Sequence, residues 1–408
     1  MNTRPDEIAP ELGRLVALCD AHARDARSAS RILGAVAIEL LERNLGAGGA
    51  SARATSALAR IRKAGGLGIA GDDADPAALC ERLLRYAAPD LATQEELRSH
   101  LDLPLAAGIV GLAQAARLTR TADICTAMHL ESIRGELGAF DDRLHALGRP
   151  YPGQVATAGN IRSLLAASEF TTEEARTEFG GDSGARVQDA ISLRAVPQTH
   201  GAVRDALARL AVALTRGLAE PSPRKGTLEL ILNLVGIALI DLANISQHRS
   251  YRLLDTRMTY GLPMNLIAEN PGFNHGFPLV HTAAIAILAE MKLHAPRGYA
   301  ESRVRPRSGA VRSFELTCGE RTLSLLDYLQ KILSIEAFMS GQAMDLAQRV
   351  LPDRRFGQGT TAAFAALRER VPYVDRNRFA SDDMVAAEEV VALCRLTDAA
   401  ERQVGKLA

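Results

Sequence analysis

Tryptophan is absent, and aromatic residues make up only 4% of the 408 positions. Proteins that hold single-stranded nucleic acid stack bases on aromatic rings, so that class is excluded. A surplus of one charge sign is also missing, since 48 Lys and Arg balance 48 Asp and Glu. Neutralising a phosphate backbone needs a basic excess, which excludes a general nucleic-acid binder. Five cysteines (Cys19, Cys80, Cys125, Cys318, Cys394) form no Cys-x-x-Cys pair. That removes a zinc ribbon and a disulfide scaffold, and it fits a reducing compartment. No His-Glu-x-x-His, Glu-x-x-His or His/Asp cluster occurs, so no metal is predicted. Gly-x-Ser-x-Gly is absent, and the Gly run at 65–71 does not follow a strand, so no nucleotide cofactor is predicted either. The first residues, MNTRPDEIAPELGRL, carry acids and Pro where a secretory signal would be apolar, so a cytoplasmic protein is expected. The most apolar run, Leu228 to Ile245, holds Glu229, Asn233, Asp241 and Asn244. Charges at bilayer depth cost about 3 kcal/mol each, so a buried core helix is expected there, with no membrane partner.

Alternating β-branched runs are almost missing, while Ala, Leu and Arg, good helix formers, dominate. The periodicity predicts helices over 11–45, broken near Ser28–Ser30, and over 76–88, 104–136, 200–219, 226–254, 277–294 and 319–347. Pro76 follows Asp75, and Pro104 follows Asp102 by two residues, which is N-cap chemistry. The last three helices are apolar on more than one side, the pattern of helices central to a bundle. No repeat of 20–50 residues appears, which excludes a solenoid. The segments 65–76, 171–199 and 294–313 read as loops, and 351–362 reads as mobile. The fold class expected is all-α. The expected organisation is a helical N-terminal region over 1–100 and a central bundle with C-terminal helices over 101–408, continuous as one domain.

Five stretches then carry a more specific signal. They read ESIRGELGAFDDRLHALGRPYPGQ at 131–154, RVQDAISLRAVPQTHGA at 186–202 and SQHRSYRLLDTRMTYGLP at 246–263, followed by GFNHGF at 272–277. IEAFMSGQAMDL at 335–346 and DRNRF at 375–379 complete the series. In this order and spacing they resemble the histidine and phenylalanine ammonia-lyase family over about residues 100–408, and weakly over 30–100. The resemblance implies an all-α bundle with long central helices and a homotetramer whose active sites are built from several subunits. The apolar helix at 228–246 is then expected at the tetramer centre.

The family's electrophile is MIO, a methylidene-imidazolone made from an internal Ala-Ser-Gly, usually followed by Asp. The matching place here is Ala50-Ser51-Ala52, followed by Arg53. The Gly and the Asp are both replaced, and a Cβ hinders the close backbone attack that makes the ring. A shortened member without MIO is therefore expected, and a plain Gly-rich helix cap is the preferred reading of 48–59. The family's Gln-Asp-Pro-Tyr-Ser-Leu-Arg motif corresponds to Gln188-Asp189-Ala190-Ile191-Ser192-Leu193-Arg194, where Ile191 replaces a catalytic Tyr. The Asn-Gly-Thr-Gln stretch falls near His100 to Leu103, and the family's amine-side Glu falls at Ala289–Glu290.

By resemblance, Arg194 binds a substrate carboxylate and Gln188 lines the same pocket. Arg suits that role because its planar fork donates two parallel hydrogen bonds. The bland alternative is a structural Arg paired with Asp189 or with a helix C-terminus. His100 is the candidate acid–base group, since imidazole titrates near neutrality. A solvated His at a helix end is the competing reading. Arg303, Arg305, Arg307 and Arg312 form a basic loop, and Arg305 and Arg307 would draw an anionic substrate by field focusing. His200, His275 and His281 read as structural histidines. The function expected is an MIO-independent enzyme working on a small carboxylate-bearing substrate by elimination, isomerisation or cyclisation, in bacterial biosynthesis. The alternative is a catalytically inactive paralogue that serves as a structural or regulatory partner.

Overall fold

The computed structural model describes residues 5–25, 29–63, 76–178, 188–219, 227–296 and 314–408. Among these residues there is no strand, only an isolated bridge between Pro271 and Asn274. The helices are α1 (Pro5–Asp25), α2 (Ala29–Gly48), α3 (Ala52–Lys63), α4 (Pro76–Ala87), α5 (Leu91–His100) and α6 (Leu103–Ser132). Next come α7 (Pro152–Leu164), α8 (Glu173–Glu178), α9 (Ile191–Arg194), α10 (Val196–Ala219) and α11 (Thr227–Arg252). The last are α12 (Thr256–Thr259), α13 (Pro278–Leu293), α14 (Phe314–Val350), α15 (Gln358–Arg368), α16 (Ser381–Ala392) and α17 (Arg395–Val404). The all-α expectation therefore holds. Asp102 caps α6 by accepting from the Leu105 amide at 3.1 Å, as its place before Pro104 predicts.

Two compact units emerge. The first comprises Met1–Ala115, Leu207–Gly236 and Pro296–Ser324, and the second Ala116–Ala206, Ile237–Ala295 and Leu325–Ala408. In the first, α2 buries Leu33, Val36, Ala37, Leu40 and Leu41, the i, i+3, i+4 stripe of an amphipathic helix. Arg43 at the far end of α2 donates to the Leu218 carbonyl at 2.6 Å, which supplies a donor for a carbonyl in the last turn of α10. In the second unit, α14 is buried without a break from Ile332 to Gly341. Gln342 on the same helix donates to the carbonyls of Leu266 and Val374 and accepts from the Val374 amide. Its side chain thus satisfies backbone that has no helix to join.

The helices α7 and α10 cross at two glycines. A Cβ at Gly153 would stand 2.1 Å from the Gly201 carbonyl oxygen, and one at Gly201 would stand 2.7 Å from the Gln154 amide. Only Gly at both positions lets the backbones approach this closely.

Two expected loops are corrected. Residues 191–194 and 196–199 are helical, because Pro197 sits in the first turn of α10, where a missing N–H costs nothing. Segment 351–357, read as mobile, is pinned. Arg354 pairs with Glu178 at 2.5 Å, Arg355 pairs with Glu169 at 2.7 Å, and the Gly357 amide donates to Glu131 at 2.6 Å. The helix after it starts at Gln358 rather than beyond 362. Cys19, Cys125, Cys318 and Cys394 are buried.

Candidate active site

The turn from Gln188 to Arg194 belongs to the second unit. Asp189 is buried, and its Oδ2 accepts from the Glu136 amide at 2.6 Å. This ties the turn to the ESIRG segment, whose Arg134 in turn donates to the Tyr260 carbonyl at 2.5 Å. Arg194 closes α9 and is half-buried. Its Nε donates to the Asp189 carbonyl at 2.7 Å, and its two terminal nitrogens meet no acceptor among the described residues. A guanidinium held by one edge keeps its fork available for a planar anion. The Nε bond pairs Arg194 with the backbone of Asp189, as the bland reading expects, while the Asp189 carboxylate serves the Glu136 amide. Gln188 is exposed, and Ile191, one helical turn from Arg194, is 70% exposed. Ile191 therefore fills no space inside its own chain.

His100 belongs to the first unit and ends α5. Its Nδ1 lies 2.9 Å from the Glu96 carbonyl, and its own carbonyl accepts from Asn44 Nδ2 at 2.9 Å. A carbonyl only accepts, so the ring proton is assigned to Nδ1, which leaves Nε2 as the basic nitrogen. A Cβ at Gly48 would stand 2.9 Å from that nitrogen. The glycine before Ser51 therefore makes the room in which the imidazole sits.

Ser51 lies in the same cluster. Its Oγ donates to Glu96 Oε2 at 2.6 Å and accepts from the Ala54 amide at 3.2 Å, and its own amide donates to Glu96 Oε1 at 2.8 Å. This is the N-cap of α3 with a tertiary carboxylate added. The two bonds from Ser51 hold the Glu96 carboxyl below its ordinary value. MIO needs Ser51 free to lose its hydroxyl and the next amide free to attack the Ala50 carbonyl. Here the hydroxyl is engaged twice, and residue 52 opens a helix and carries a Cβ. The residues present do not fit the group.

A second polar assembly was not legible in the sequence. In the second unit Asp123 accepts from His200 Nδ1 at 2.7 Å, Arg204 Nη2 at 2.6 Å and Asn160 Nδ2 at 2.8 Å. Burial works against its ionisation, but Arg204 and His200 outweigh burial and hold the carboxyl below its ordinary value. Nearby, Arg249 donates to Glu336 through Nε at 2.5 Å and Nη2 at 2.9 Å, and Ser246 donates to the same carboxylate. The only trace in the sequence is a scatter of charges inside apolar helices, such as TADICTAMHLES. His281 contacts Gln247 at 2.8 Å, and the His275 amide donates to Asn377 at 2.7 Å.

A small, partly open cleft lies in the second unit between Phe277, Val280, Phe338, Val374, Asn377 and Asp383. Neither Gln188 nor Arg194 lines it. Arg305 and Arg307, with the rest of 297–313, lie outside the described residues, as does the Gly run at 65–71. Among the described residues no group of His, Cys, Asp and Glu is placed to hold a metal ion.

Comparison with known proteins places these features. The family described as aromatic amino acid lyase matches residues 97–220 and 226–369. A histidine ammonia-lyase of Natranaerobius thermophilus is 32% identical over 308 residues, covering 71% of this chain and 58% of that protein. One of Chloroflexus aurantiacus is 32% identical over 352 residues, covering 80% and 65%. The chain thus spans about six tenths of the length of these curated relatives. Among solved structures, a tyrosine aminomutase of Streptomyces globisporus superposes with a TM-score of 0.67 at 27% identity, covering 77% of this chain and 65% of that one. A histidine ammonia-lyase of Trypanosoma cruzi superposes at 0.71 with 18% identity, covering 96% and 82%, which is a likeness of fold.

Proposed function

The chain belongs to the aromatic amino acid lyase family, and from that footing we propose that it is an enzyme of the ammonia-lyase fold that works without MIO on a small carboxylate-bearing substrate. The reaction class is elimination, isomerisation or cyclisation. Relatives bearing the names histidine ammonia-lyase and tyrosine aminomutase support a substrate of amino-acid size and charge. Arg194 is the carboxylate anchor and Gln188 a second polar contact. His100, with a basic Nε2 beside Gly48, is the acid–base group. Such a reaction works by arranging charge and proton donors around an anion.

The observation that carries this reading is the Arg194 guanidinium, held by one edge on the Asp189 carbonyl with its terminal nitrogens unspent. What supports loss of the electrophile is Ser51, whose hydroxyl caps α3 and binds Glu96. We further propose a homotetramer. Leu230, Leu234 and Ile237 follow one face of α11 at i, i+4 and i+7, and they are 58%, 36% and 51% exposed. An aliphatic row of that kind is the pattern of a helix that meets another copy.

The test is calorimetric titration with histidine, tyrosine, phenylalanine and their deaminated unsaturated acids. A binder found in that panel is expected to lose about 2 kcal/mol of affinity with Arg194→Ala, the size of a charge-assisted pair. Arg194→Lys should recover only part of it, because an ammonium cannot form the fork. Equal affinity in all three proteins would remove Arg194 from the site.

A further inference from the structure

The part of α11 that belongs to the second unit carries one face that its own chain leaves open. From Ile237 to Tyr251 the positions not buried are Ile237, Ile240, Asp241, Asn244, His248 and Tyr251. Leaving aside the half-buried Ile240, they follow one another at alternating steps of four and three. That alternation marks a helix face that meets another helix along its length.

The polar groups on this face are free to reach outward. Asp241 and His248 are exposed, and neither has a hydrogen-bond or ion-pair partner among the described residues. Lys292 on α13 donates to Asn244 Oδ1 at 3.2 Å, which leaves the amide nitrogen of Asn244 available. The Tyr251 ring lies against His281 with centroids 5.4 Å apart and remains 49% exposed.

Along the helix the order is aliphatic, acid, amide, imidazole, aromatic. That order is complementary to its own reverse. Asp241 and His248 are seven residues apart, about 10 Å along the axis, and Asn244 stands near the midpoint. A two-fold axis crossing α11 between residues 244 and 245 sets Asp241 level with the partner's His248. The same operation sets Asn244 beside the partner's Asn244 and Ile237 beside the partner's Tyr251. A closed two-fold contact uses one patch on both copies, so the patch must complement itself. A parallel pairing would instead oppose Asp241 to the partner's Asp241, and two facing carboxylates repel.

We propose that α11 docks antiparallel on α11 of a second copy, with the contact between Asp241 and the partner's His248 made twice and fixing the register. The inference rests on the subunit contact proposed above and adds its direction and the residues that set it. Aliphatic side chains attract without direction, so the row of Leu and Ile fits either sense of pairing. The acid and the imidazole choose between the two senses, because only one of them joins opposite partners. The contact holds with a neutral or a charged ring, since a ring N–H donates to the carboxylate in both states.

The test is a charge exchange in the full chain, followed by sedimentation over a dilution series. Asp241→Lys sets a cation against an imidazole, and His248→Glu sets two carboxylates together. Each single variant should raise the dissociation midpoint roughly tenfold. Asp241→Lys with His248→Glu restores opposite signs and should return the midpoint to that of the natural protein. Single variants that assemble like the natural protein, or a double variant no tighter than they are, would overturn the pairing.

Oxidative cross-linking reads the direction separately. Asn244→Cys stands beside the axis and should give a disulfide-linked dimer. Asp241→Cys should not, because the two copies of position 241 are about 10 Å apart along the helices. No link at 244, or a link at 241, would overturn the antiparallel arrangement. A natural protein that stays monomeric removes the subunit contact and this pairing together. One that assembles but ignores the exchange removes the pairing alone.

Discussion

Glu131 is a buried carboxyl in the ESIRG segment, and it makes stability depend on pH. Burial raises its pKa to about 7 from the usual 4.5, although the Gly357 amide donates to it. The folded protein keeps a proton there that the unfolded chain gives up. This contribution to stability is complete below about pH 4.5 and is lost as pH rises through about 7, a change of about 3 kcal/mol. Urea midpoints at pH 5 and pH 8 should therefore differ more for the natural protein than for Glu131→Gln, whose amide does not titrate. Identical pH slopes would place the ionisation elsewhere. At this scale the sequence was partly legible. Gln188, Asp189 and Arg194 lie in one seven-residue stretch, so spacing alone brings them together. Asp123 and His200 are 77 positions apart, and no local pattern pairs them. His200 reads correctly as a structural histidine, but its partner emerges only from packing.

Helices were the most legible features, because a stripe of apolar residues every three or four positions survives any tertiary context. The boundaries that moved did so for local reasons, such as Pro197 accepted in a first turn. Segment 351–357 was misread because Arg and Gly look mobile in a sequence. Its anchors, Glu178, Glu169 and Glu131, come from elsewhere in the chain. The crossing of α7 and α10 was equally invisible, although PGQ and HGA stand in the recognised motifs. Gly201→Ala drives a Cβ into the Gln154 backbone. That strain should destabilise the protein by about 3 kcal/mol, at the upper end for an added methyl in a tight interior. A thermal melt checks it. An unshifted melting temperature would mean that the helices can separate without loss.

For the molecule as a whole, the ordered motifs indicated the fold. What the sequence could not supply is which surfaces remain uncovered in a single chain. The helix Thr227–Arg252 is apolar and long enough to cross a membrane by composition, yet only 50% of its most apolar window is buried. We attribute its exposed row to subunit contact. Ile237→Glu is expected to lower the mass of the assembly in light scattering while the circular dichroism stays helical. An unchanged assembly would move the interface to another face.

Loss of the built-in electrophile is the central claim, and denaturing mass spectrometry of the purified chain tests it most directly. The account predicts the mass of the unmodified sequence and an intact Ala50-Ser51-Ala52 peptide. A chain lighter by two waters, with the loss mapped to Ser51 and its neighbours, would contradict it.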